Sequence, residues 1–261
     1  MHSHLLAEHS LAPLPSTTAM QLGRSYHALQ TRKELEDLVL AVFPDLQVVS
    51  LSKKELHYLI NQSVINSYFG ESYLKSLMIE KYVGEDMVAA LEVKALNSRL
   101  DFLKINGSTV SYEIKSEVDN ILKLEKQSMD YLKLFEYNNV VIGSNHLSHV
   151  RKVLPSNYGI IIERNGFFVT KRKPKKNNKI CPKSQIDLFN KKELETFCGL
   201  SDPKKILKEL SPKQINQQFK LMLKKRYAKK WAFLTSRKKE IFPLDYQYFY
   251  HHNIEPELIY G

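Results

Sequence analysis

The chain has 261 residues, 43% of them hydrophobic, enough to bury a sizeable core in one large domain or two smaller ones. No apolar run reaches the roughly 18 residues of a membrane span, and residues 1–30 lack the apolar stretch of a secretory signal, so the reading is a cytoplasmic protein with no membrane partner. The formal net charge is +11 and the two cysteines, Cys181 and Cys198, have no CxxC context, which excludes a four-thiolate zinc site.

The charge is lopsided. Residues 171–261 hold 22 of the 39 Lys+Arg and 9 of the 28 Asp+Glu, a net of +13, while residues 1–170 come to −2. A basic segment of this kind is the electrostatic footprint of a protein that meets a polyanion, and DNA is the expected partner. The plainer use of such lysines is to solubilise helix surfaces.

In chain order, residues 1–30 combine His2, His4, His9, Pro13 and Pro15 with a Ser/Thr cluster and no apolar periodicity, the pattern of a mobile extension. Residues 31–86 read as an N-terminal helical cover. Thr31 with Glu34 makes a capping box for a helix from Arg32 to Val42, Ser52 with Glu55 makes a second, and a third helix spans Ser72 to Tyr82 before Gly84. Residues 87–170 change character. Val88 to Ala95, Leu100 to Ile105 and Val110 to Lys115 are short and β-prone, with the hairpin signal Asn106-Gly107 between the last two. Ser116 and Asp119 suggest a cap for a helix from Val118 to Tyr137, striped by Ile121, Leu124, Tyr131, Leu132 and Phe135. A strand at Val140 to Gly143, a helix at Leu147 to Val153 and a hairpin around Asn165-Gly166 complete this segment. Residues 171–261 form the basic, mainly helical C-terminal region. It opens on KRKPKKNNK, a surface loop or linker, and Ile215, Phe219, Leu223, Tyr227 and Trp231 then fall at four-residue steps, a stripe for packing. The fold class is α/β, a mixed central sheet flanked by helices.

Strand parity tests whether the charged residues of this hairpin meet. A strict two-residue loop would set Asp101 opposite Tyr112, away from Glu113. A three-residue loop, with Gly107 at positive φ, makes 105 face 109 and Asp101 face Glu113. Leu100, Phe102, Val110, Tyr112 and Ile114 then share one face, and Asp101, Ser111, Glu113 and Lys115 the other, so apolar parity selects the second register. Two facing carboxylates repel, and a hard cation such as Mg²⁺ relieves the repulsion and can polarise a phosphoryl oxygen beside Lys115. A surface ladder of Asp101, Glu113, Lys115 and Lys104 is the plainer alternative.

Asp101 on one strand, Glu113-Ile114-Lys115 on the next and a helix carrying Gln127-x-x-x-Tyr131 resemble the PD-(D/E)XK nuclease superfamily. The runs SRLDFLKING, YEIKSEVDNILKLEKQSMDYLKLF, VVIGSNH and YGIIIE resemble a group of largely uncharacterised bacterial and phage proteins assigned to it. The resemblance covers about Val88 to Thr170. It implies a restriction-endonuclease-like core, Mg²⁺ or Mn²⁺ dependence and a DNA substrate. By motif position Asp101 and Glu113 would be metal ligands and Lys115 the catalytic lysine, with Gln127 and Tyr131 facing the site. Glu92, or failing it Glu80, would complete the metal set. Leu100 stands where the superfamily's name has proline.

The expected function is therefore a metal-dependent DNA nuclease using Asp101, Glu113 and Lys115. The alternatives are a nucleic-acid-binding or assembly module on an inactive scaffold of the same kind, and an interaction protein whose basic helix meets an acidic partner. His146 and His149 lack a third ligand for zinc. His251 and His252 lie among Tyr246, Tyr248, Phe249 and Tyr250, which suit docking of the tail. No Gly-rich phosphate loop suggests ATP or a dinucleotide.

Overall fold

The computed structural model describes residues 13–164 and 166–261. They form two compact units, one of Met1–Ser76 with Arg237–Gly261 and one of Leu77–Ser236. This division cuts across the four segments expected from the sequence, because both ends of the chain contribute to the first unit. No described helix is long and apolar enough to cross a membrane.

The first unit is helical. Helix α1 (Ser16–Ser25) falls within the segment expected to be an extension, yet Ala19 and Leu22 are buried. His2, His4 and His9 lie outside the described residues. Helices α2 (Arg32–Val42) and α3 (Lys53–Ile65) both carry the expected capping boxes, at Thr31/Glu34 and Ser52/Glu55. Leu22, Leu35, Val39, Leu56 and Ile60 make their shared core. Helix α4 follows at Glu71–Tyr82.

A buried polar knot lies in this unit. Tyr26 donates its hydroxyl proton to Asp245 Oδ2 at 2.9 Å, and Tyr260 donates to the same oxygen at 2.7 Å. Tyr26 Oη in turn lies 2.7 Å from His57 Nδ1 and accepts from Asn61. Its one proton is given to Asp245, so His57 Nδ1 must be the donor, which leaves Nε2 as a buried acceptor.

The second unit carries a six-stranded sheet in sequence order: β1 (Val88–Ala95), β2 (Ser98–Asn106), β3 (Ser108–Lys115), β4 (Tyr137–Ile142), β5 (Gly159–Arg164) and β6 (Phe167–Arg172). The β1-β2, β2-β3 and β5-β6 pairs are antiparallel, whereas β3-β4 and β4-β5 are parallel. It is the expected mixed α/β sheet. Helices α5 (Leu124–Leu132) and α6 (Leu147–Val153) cover one face, where Leu124, Leu132 and Val150 pack with Val140, Ile142, Ile160 and Ile162.

Helix α5 is shorter than its apolar stripe suggested. Ser116 N–H and Oγ both donate to Asp119 Oδ2, at 2.6 and 2.7 Å, but the Asp119 N–H goes to the Ser116 carbonyl at 3.2 Å and not to the Ser116 hydroxyl, so the box is half formed. That carbonyl also lies 3.0 Å from His146 Nε2, and the Glu117 carbonyl accepts from Asn145 Nδ2 at 2.8 Å. A turn bond from residue 119 to 116 stands where a helical bond would begin, and the helix starts at Leu124. At the other end Tyr137 opens β4.

Short helices α7 (Pro182–Ile186), α8 (Lys191–Cys198) and α9 (Pro203–Glu209) lead into the long α10 (Pro212–Arg237). Its stripe is core: Ile215, Phe219, Leu223 and Trp231 are buried, with Phe219 against Phe135 and Trp231 edge-on to Phe102. Lys220 donates to the Gly107 carbonyl at 2.8 Å, and Asn216 donates to Glu136, whose other oxygen accepts from the Thr109 N–H. The β2-β3 turn is thereby tied to α10.

The basic excess divides unevenly. Residues 171–236 hold 19 Lys+Arg and 5 Asp+Glu, whereas residues 237–261, in the first unit, hold 3 and 4. That last stretch forms α11 (Tyr246–His252) and α12 (Pro256–Tyr260), with Tyr246, Phe249 and Tyr250 buried.

Candidate active site

In the β2-β3 ladder Ile105 pairs with Thr109 and Asn106 with Ser108, and Gly107 at the tip has φ 67°. This is the register that parity selected. Continued past Phe102 and Tyr112, it sets Asp101 opposite Glu113. The β1-β2 register steps from Leu91↔Phe102 to Val93↔Leu100, so Glu92 stands opposite Asp101 on the other side. Three carboxylates thus occupy one level of three adjacent strands.

Glu92 has φ 53°, a left-handed conformation that costs a residue with a β-carbon about 1 kcal/mol or more. Carboxylate oxygens of Glu92 and Asp101 approach within 4.8 Å of each other. Asp101 Oδ2 also accepts the Ile114 N–H at 2.7 Å, which holds the carboxylate against β3.

Glu113 is 1% exposed and has three donors. Its Oε1 accepts from Lys115 Nζ and from Gln127 Nε2, both at 2.6 Å. Its Oε2 lies 2.6 Å from the Tyr131 hydroxyl, which is also 2.9 Å from the Arg99 carbonyl. Burial pushes the Glu113 carboxyl above the usual carboxylate range, against the pull of Lys115, Tyr131 and Gln127. Tyr131 is pushed well above its ordinary value by burial and by the Glu113 charge, so its hydroxyl stays protonated.

Of the six residues singled out in the sequence, Glu113, Lys115, Gln127 and Tyr131 form one hydrogen-bonded group, and Glu92 and Asp101 form an adjacent pair. Glu113 does not come within 4.8 Å of both members of that pair. Glu80 is exposed on α4. Lys104 bonds Glu85 at 2.7 Å, so the four-residue charge ladder does not form as a unit. His146 serves the Ser116 carbonyl, and His149 is exposed on α6. The Ile114 N–H at Asp101 and the backbone strain at Glu92 left no signal in the sequence, since both arise from pairing between strands.

A hard cation about 2.1 Å from each of two oxygens bridges separations up to roughly 4.2 Å. The donor chemistry of Glu92 and Asp101 suits it, with small side-chain adjustments. In Glu113, Oε1 already accepts two hydrogen bonds, and Oε2 keeps one lone pair beyond its contact with Tyr131.

Residues 49–249 match the family model described as Bacteriophage P4 protein cII. The chain belongs to that family. No curated protein matches this P4 cII family member. Among solved structures it is similar to a protein of unknown function from Silicibacter pomeroyi, at 18% identity and a TM-score of 0.34, over 50% of this chain and 90% of the other. The family description names no reaction, so function is argued from the residues of the site.

Proposed function

We propose that this P4 cII family member is a metal-dependent DNA nuclease that hydrolyses phosphodiester bonds in the cytoplasm. What carries the reading is the alignment of Asp101 with Glu113 across β2 and β3, with Lys115 Nζ 2.6 Å from Glu113. The resemblance to the PD-(D/E)XK pattern supports it, as does the net charge of residues 171–236.

Glu92 and Asp101 would hold Mg²⁺ or Mn²⁺, with the remaining Glu113 Oε2 lone pair as a further donor. Such an ion supplies positive charge that offsets the charge developing on phosphoryl oxygens. Lys115, aimed by Glu113, would place an ammonium beside the scissile phosphate and orient the attacking water. Gln127 and Tyr131 are positioning residues that fix the Glu113 carboxylate. Tyr131, held protonated, acts as a donor and not as a base.

A second reading, a nucleic-acid-binding or assembly module on an inactive scaffold, is favoured by one observation. Glu113 already accepts from Lys115, Gln127 and Tyr131 and does not come within 4.8 Å of both Glu92 and Asp101. The two separate on incubation with linear, circular and single-stranded DNA in Mg²⁺, Mn²⁺ or EDTA, beside Asp101→Ala and Lys115→Ala. Metal-dependent cleavage lost in both variants supports the nuclease. Binding without cleavage under every condition supports the module, and cleavage that survives Asp101→Ala assigns the activity elsewhere.

A further inference from the structure

The outer strand β6 is the exposed edge of the sheet, and its side chains are unusual for such a place. Phe167 is 75% exposed and Val169 37%. Residues 164–179 carry seven Lys or Arg and no Asp or Glu. An edge strand is commonly guarded by lysines, but guarding does not call for a bare phenylalanine beside them.

The sheet register places this strand relative to the candidate site. Glu113 pairs with Val140, Val140 with Ile160, and Ile160 with Arg172. Residues directly opposite one another point to the same face, so Arg172 shares the face of Glu113, three strand spacings or about 14 Å away. On β5 and β6 the pairs Arg164↔Phe167 and Ile162↔Val169 belong to this face too. Phe168, on the opposite face, is covered by the Lys81 ammonium at 5.4 Å.

Two arginines belong to this part of the unit, Arg172 on β6 and Arg151 on α6. Arg172 donates to the Tyr158 carbonyl at 2.6 Å and the Pro155 carbonyl at 3.0 Å, neutral acceptors that fix its position without cancelling its charge. Burial and the nearby charge of Arg151 push its pKa down. Among the described residues neither arginine forms an ion pair, and Arg151 is exposed. Cations with no carboxylate partner, beside a run of further lysines, suit an anion.

We propose that β6, with Arg151 of α6, is a docking track for single-stranded DNA, with phosphate groups at Arg151 and Arg172 and an unpaired base stacked on Phe167. The assignment to DNA rests on the nuclease reading above. A duplex keeps its base faces inside its own stack, so an exposed ring on a strand edge suits an unpaired strand. A second copy is the poorer occupant, because the β-bulge between Ile160 and Ile161 and the cations at Lys171, Arg172 and Lys173 disfavour edge pairing. A strand lying along β6 would run alongside β3 at three strand spacings, with α5 and α6 packed on the sheet face between them.

The test is fluorescence anisotropy of a labelled oligo(dT) of about 16 nucleotides, with the full chain in EDTA so that no cleavage occurs. Phe167→Ala is expected to weaken binding about tenfold, the loss of one base stack. Arg151→Glu with Lys173→Glu should weaken it further and flatten its salt dependence. Both sites are exposed, so an unchanged melting temperature verifies folding. Equal binding by wild type and variants, no binding by wild type, tighter binding of duplex or of oligo(rU), or a dimer that Phe167→Ala dissociates without affecting DNA would each overturn the track. If oligo(dT) binds as expected but no DNA is cleaved in Mg²⁺ or Mn²⁺, the nuclease reading fails and the track stands. If DNA is cleaved while Phe167→Ala binds like wild type, the track fails and the nuclease stands.

Discussion

Ile105 lies opposite Thr109 in the β2-β3 ladder, and that pairing is what turns Asp101 toward Glu113. It depends on Gly107, whose φ of 67° is costly for any residue with a β-carbon. A Cβ added there meets nothing within 4 Å, so the cost is purely in the backbone. Gly107→Val is expected to lower stability by about 1–2 kcal/mol, read as a lower urea midpoint with unchanged slope, and Gly107→Asn by less. Equal midpoints for all three chains would remove the strain argument.

Lys115 supplies the countercharge of a nearly inaccessible carboxylate. A folded-state pKa raised by burial means the folded chain binds the Glu113 proton more readily than the unfolded chain, so this stabilisation is present at low pH and lost as pH rises through the folded value. Removing the ammonium raises that pKa further. Lys115→Met should therefore cost about 3 kcal/mol at pH 8 and clearly less at pH 5, measured by denaturant unfolding at both. An equal loss at the two pH values would contradict the pairing.

Tyr131→Phe removes the hydroxyl whose single proton lies between Glu113 Oε2 and the Arg99 carbonyl, while keeping the ring beside Phe135. The expected cost is about 2 kcal/mol. Carboxyl carbon NMR should show Glu113 titrating at higher pH than in the wild type, because a stabiliser of its charged form is gone. A shift in the other direction would mean that the hydroxyl serves only Arg99.

The buried knot of the first unit has opposing pH dependences. Burial raises Asp245 to about 6, which makes the folded state lose stability as pH rises from the ordinary aspartate value to 6. Burial lowers His57 to about 4, which makes the folded state gain stability as pH rises from 4 to 6.5. Each effect is on the order of 3 kcal/mol, and together they nearly cancel. Asp245→Asn should remove the first and leave the second, so that thermal stability rises more steeply from pH 4 to pH 6.5 than in the wild type. A flat profile in the variant would show that His57 does not titrate as its burial implies.

Much of this protein was legible in the sequence because the determinants are local. Capping boxes at Thr31 and Ser52, turn glycines at 84 and 107, and two-residue parity in β2 and β3 each act within a few residues, so helices, hairpin register and shared faces follow from chain order. The candidate site was legible to the same depth: Asp101, Glu113 and Lys115 sit on one face because parity puts them there. What only the tertiary structure decided are relationships among distant segments. The late start of α5 follows a turn at residues 116–119 whose carbonyls at 116 and 117 are met by His146 and Asn145. The inclusion of residues 16–26 in the first unit arises because Tyr26 bonds Asp245, 219 positions away. Which donors meet Glu113 depends on where Gln127 and Tyr131 arrive when α5 packs on the sheet. Periodicity specifies which way a side chain points, but which distant donor reaches it is decided by packing.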